Sequence, residues 1–91
     1  MIREEDAVWI LEQLEQLASK LGINVRYEYL GEKDDDVHLR SGSCRVKGDR
    51  VIIIDRFKSK GERCRLLASE LKRCDLSRVF ITPAVRDILE A

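Results

Sequence analysis

Residues 51–54 read Val-Ile-Ile-Ile, an unbroken run of β-branched side chains. Branching at Cβ stiffens the side chain and favours an extended backbone, and a strand that is apolar at every position has to be covered on both faces. Gly48-Asp49 stands just before the run and suits a two-residue hairpin turn. That turn predicts pairing of Lys47 with Arg50, Val46 with Val51 and Cys44 with Ile53. One face of the hairpin is then Cys44, Val46, Val51 and Ile53, on which the first and second helices of the chain are expected to pack. The other sets Ile52 and Ile54 beside Ser43 and Arg45, where they need a later element or another chain to cover them. Ile52 and Ile54 are therefore candidate interface residues.

After Asp55 the apolar period changes from two to that of a helix. Ser59 and Glu62 have capping-box spacing, and Cys64, Leu67, Ala68 and Leu71 recur on one helical face. Lys72 and Arg73 close this helix with cations, which suit its negative end. Upstream, Glu4-Glu5-Asp6 opens a helix whose stripe is Ala7, Ile10, Leu11, Leu14, Leu17, Ala18 and Leu21. Gly22 is its expected left-handed stop. Trp9 falls off the stripe, as a rim residue or a third candidate interface residue.

Ile23, Val25, Tyr27 and Tyr29 alternate with polar residues, the pattern of a half-buried strand. Val37 and Leu39 lie at odd positions whereas Cys44 and Val46 lie at even ones, so the phase slips between them. Ser41-Gly42-Ser43 is the natural place for a bulge. Downstream, Val79-Phe80-Ile81 reads as a short strand. Thr82-Pro83 then starts a last helix, with a cap hydroxyl followed by a proline at the first helical position. The expected fold is one α+β domain over residues 1–91: helix, three-stranded antiparallel meander bulged near Gly42, helix, short strand, C-terminal helix.

Charge is balanced overall but unevenly spread. Residues 1–36 carry four Lys/Arg and ten Asp/Glu, while residues 37–91 carry thirteen and seven. Such a split suits an anionic partner for the basic half, contact between the two halves, or pairing of two copies. The basic stretch 40–65 offers Arg45, Lys47, Arg50, Arg56, Lys58 and Lys60 as candidate anion-binding residues, the last three leading into a helix N-terminus. Phe57 is the lone aromatic in that stretch, which argues against a stacking platform for single strands.

The chemistry of a hydrolase has little to work with. His38 is the only histidine, and it alternates with Val37 and Leu39 on the polar side of an expected strand. Cys44, Cys64 and Cys74 lack metal-ligand spacing, and their odd number suits reduced thiols in the cytoplasm. Asp34-Asp35-Asp36 lacks the spacing of a calcium loop. No apolar run approaches the roughly 18 residues of a membrane span, and no signal-peptide pattern opens the chain. The expectation is a cytoplasmic module with no catalytic residue, no metal and no cofactor. Its partner would be a second copy or another protein, with weak sequence-independent nucleic-acid binding as the alternative.

Two resemblances add to this. Residues 14–73 hold a Gly-Ile-x-Val strand, a hairpin, an Ile-rich strand and a Ser-x-x-Glu-capped helix carrying Leu-Ala-x-Glu-Leu. In that order they resemble the small zincin-type metallopeptidases that cleave phage-style repressors. The resemblance implies a His-Glu-x-x-His helix, in which two histidines hold zinc and the glutamate activates water. The aligned residues are Ser69-Glu70-Leu71-Lys72-Arg73, so the glutamate is kept as Glu70 and both zinc-ligand positions are lost. What remains implied is an inactive relative on a common scaffold. The stretch from Asp75 to Glu90 is similar to the tails of short bacterial proteins of unassigned function.

Overall fold

The computed structural model describes residues 3–29 and 42–90. Their elements run α1 (Glu4–Lys20), β1 (Ile23–Glu28), β2 (Gly42–Val46), β3 (Asp49–Asp55), α2 (Lys60–Leu71) and α3 (Pro83–Leu89). The fold is α+β, with helices on a mixed three-stranded sheet.

The helix starts and the Gly22 stop act as the sequence predicts, whereas Lys72 and Arg73 fall after Leu71, the last residue of α2, and leave its last turn without a cation. Three acidic residues fill the first turn of α1, and Gly22 follows its end with φ +76°. The Ser59 hydroxyl accepts from the Glu62 amide at 3.2 Å, and the Thr82 hydroxyl accepts from the Val85 amide ahead of Pro83. Each cap supplies an acceptor to an amide that has no partner within its own helix.

The sheet departs from the expected meander. Its order is β1-β3-β2, with β3 central, β2 antiparallel to it and β1 parallel to it. An unbroken apolar run is what a central strand needs, and the thirteen residues between β1 and β2 are long enough to carry the chain past β3. The hairpin turn also differs. Lys47 and Gly48 both have positive φ (+53° and +88°), so they form the two central positions of the turn instead of Gly48-Asp49. Val46 accordingly opposes Asp49, Arg45 opposes Arg50, and Cys44 opposes Val51. Pairing is continuous from Gly42 to Val46, so β2 carries no bulge within these residues.

The covered face of the sheet is the opposite of the one expected. α1 packs on β1 and α2 on β3, and together they bury Ile23, Ile52 and Ile54 with half-buried Val25 and Tyr27. Ile52 and Ile54 are 2% and 1% exposed, sealed by the chain's own helices and taken off the surface. α3 packs on α1 and α2 through Val85 and Leu89 and is not what covers them. Val79 to Ile81 is irregular, not a strand. Ile81 packs into the core cluster instead of pairing with a strand of the described residues.

Candidate functional site

The six candidate anion-binding residues fall into two groups at opposite ends of β3. Seven residues of strand span about 20 Å, with Arg45, Lys47 and Arg50 at the hairpin end and Arg56, Lys58 and Lys60 beyond the other. They do not form one continuous basic stripe.

The far end is chemically occupied. The Glu4 carboxylate accepts from the Gly61 amide at 3.3 Å and the Ser59 hydroxyl takes the Glu62 amide, so α1 supplies the anion and Ser59 the cap at the start of α2, where a phosphate was expected. Arg63 turns back to donate to the carbonyls of Arg56 and Lys58, closing the loop that joins β3 to α2. The Asp55 carboxylate accepts from the Phe57 amide at 3.0 Å. Parallel pairing brings the end of β1 beside the end of β3, and this sets Tyr29 edge-on to Phe57 with ring centres 5.0 Å apart. Phe57 therefore has an aromatic neighbour that the sequence reading missed, because an antiparallel meander keeps β1 and β3 apart.

Behind this end lies a half-buried polar group. The Tyr27 hydroxyl donates to a Glu15 carboxylate oxygen, and the Arg63 guanidinium stands 5.3 Å above the Tyr27 ring. Burial, reinforced by the Glu15 carboxylate, raises the Tyr27 pKa well above the tyrosine range. Buried Cys64 donates to the Ala7 carbonyl at 3.3 Å, and its thiol is pushed up to about 11 by desolvation first and the Glu4 and Glu15 charges second. These groups tie α1, α2 and β1 together and keep both protons in place at neutral pH.

The hairpin end is different. Arg45 stands directly across from Arg50, and like charges in that position repel. The Arg45 guanidinium donates to the Gly48 carbonyl at 3.0 Å, and the Arg50 guanidinium reaches the Cys74 sulfur at 3.1 Å. The second contact brings in Lys72 and Arg73, the exposed residues that follow α2 just before Cys74. Element lengths could have revealed this. Twelve helical residues cover about 18 Å, so α2 returning along β3 restores its last turn to the level of Arg50. Asp75, the acid nearest in sequence to Arg73, is held by the Ser77 hydroxyl at 2.7 Å and amide at 3.0 Å, which lower its pKa.

The other feature is the sheet face over which no helix of the described residues packs. Cys44 and Val46 are exposed on it, Ile53 is half-buried, and Val51 is buried yet separate from the main core cluster. An Arg26–Glu28 ion pair at 2.6 Å borders it on β1. Trp9 is 49% exposed on α1.

His38 and the Asp34-Asp35-Asp36 run lie outside the described residues. Among the described residues no cluster of His, Cys, Asp and Glu is placed to hold a metal ion, and no helix is long and apolar enough to cross a membrane. Ser69 is exposed and Glu70 half-buried on α2, while Arg73 lies beyond its last residue. The aligned five-residue stretch therefore does not sit wholly on one helix. Comparison with protein-family models, curated proteins and solved structures finds no match to this chain.

Proposed function

We propose that this chain is a non-enzymatic interaction module that associates through the sheet face opposite its helices, a second copy of itself being the partner. The observation that supports this is the one-sided packing: α1 and α2 both lie over the Ile52 and Ile54 face. The opposite face is left with exposed Cys44 and Val46 next to Val51 and Ile53. Apolar residues gathered in a strip gain more from a partner than the same residues scattered singly. β2 is also an edge strand of the three-stranded sheet, so it offers backbone groups alongside the apolar strip.

Sedimentation equilibrium over a wide concentration range tests this reading. The expected result is a mass that rises towards the dimer with concentration, and a Val46→Lys variant that stays monomeric. A wild-type chain that remains monomeric throughout contradicts it.

A further inference from the structure

The hairpin breaks two local rules at once, and both breaks concern cations. Lys47 occupies a left-handed turn position, where glycine, asparagine and aspartate are favoured and other side chains meet steric resistance. Arg45 and Arg50 face each other across the ladder, where an opposite-charge or apolar pair would stabilise and like charges do the reverse. The contact between Arg50 and Cys74 adds Lys72 and Arg73 to the same end of the molecule. None of the five cations forms an ion pair among the described residues, where the pairs are Arg3–Glu5, Arg26–Glu28 and Glu62–Arg65. Among the described residues the Arg45 bond to the Gly48 carbonyl and the Arg50 contact with Cys74 bring no opposite charge to either guanidinium, which points to an anion from outside.

We propose that the hairpin end, formed by Arg45, Lys47, Arg50, Lys72 and Arg73, binds the phosphate backbone of nucleic acid without regard to sequence. Lys47 borders the sheet face opposite the helices, beside Val46 and Val51, but the binding does not depend on self-association. Arginines engage phosphate oxygens in forked pairs, and two of them side by side repel less once a phosphate lies between them. The turn and the end of α2 carry no aromatic residue to seat in a lipid headgroup layer, which favours nucleic acid over an anionic membrane.

The test is fluorescence anisotropy with a labelled DNA duplex across a salt series, with an anionic phosphatidylserine vesicle as a second probe. Five phosphate contacts predict a log–log salt slope of about −4.5 for the duplex. An Arg45→Gln/Arg50→Gln variant should lower its magnitude by about 1.8, whereas Lys58→Gln/Lys60→Gln, at the other end of β3, should leave it unchanged. The arginine variant should also melt roughly 1–8 °C higher, because the repulsion is gone. That rise separates a ligand-binding role from a structural one. Three results would each overturn the proposal: no binding at low salt, equal losses from the two variants, or vesicle binding in place of duplex binding.

Discussion

Replacing Ile54 by alanine should cost several times more stability than replacing Ile53, its neighbour on the other face of β3. Ile54 is 1% exposed beneath the helices, whereas Ile53 is half-buried on the open face. Truncating a sealed isoleucine loses the transfer energy and leaves a cavity, together about 2–5 kcal/mol. At Ile53 water reaches the vacated space, and half of a side-chain burial is worth about 1 kcal/mol. In a domain of this size each kcal/mol moves the melting temperature by roughly 4–8 °C. Ile54→Ala should therefore melt roughly 8–40 °C below the parent and Ile53→Ala within about 8 °C of it. Thermal melts followed by far-ultraviolet circular dichroism, with urea titrations alongside, measure both variants. Equal losses, or a greater loss at Ile53, would refute the assignment of the covered face.

Cys64 ties stability to alkaline pH. Its thiol is raised from about 9 to about 11, so the folded state holds this proton more tightly than the unfolded chain. The stabilisation is complete below about pH 9 and is lost as pH rises through 11; a Cys64→Ala variant should flatten the urea midpoint across that window. With a thiol reagent on the native protein, exposed Cys44 should react ahead of Cys64, which should react only on unfolding. Ser59→Ala should cost about 1 kcal/mol in urea titrations, since the Glu62 amide loses its acceptor.

Much of the local structure was legible because its causes are local. The α1 stripe, the Gly22 stop, the Ser59 and Thr82 caps and the buried face of α2 follow from spacing and from backbone groups that need partners. Strand order is another matter, because alternation along a strand says which side chains share a face and nothing about which strand lies alongside. The Val51–Ile54 run did signal a central strand, yet taking neighbours in sequence as neighbours in space assigned β3 to an edge of the sheet. That single displacement accounts for the covered face being inverted and for Tyr29 being missed beside Phe57. The hairpin register failed for a separate reason, since Lys47 accepts a left-handed conformation that its residue type resists. The candidate site was half legible: Arg45, Lys47 and Arg50 are adjacent in sequence, whereas Lys72 and Arg73 join them only once α2 folds back along β3.

The open face and the gathered cations both require β3 to lie between β1 and β2. The most direct measurement is a proton nuclear Overhauser spectrum of the folded chain. The account predicts ring-to-ring contacts between Tyr29 and Phe57 and backbone contacts linking β1 residues 24–28 to β3 residues 51–55 in ascending, parallel order. Backbone contacts joining β1 to β2, with none between the Tyr29 and Phe57 rings, would contradict it.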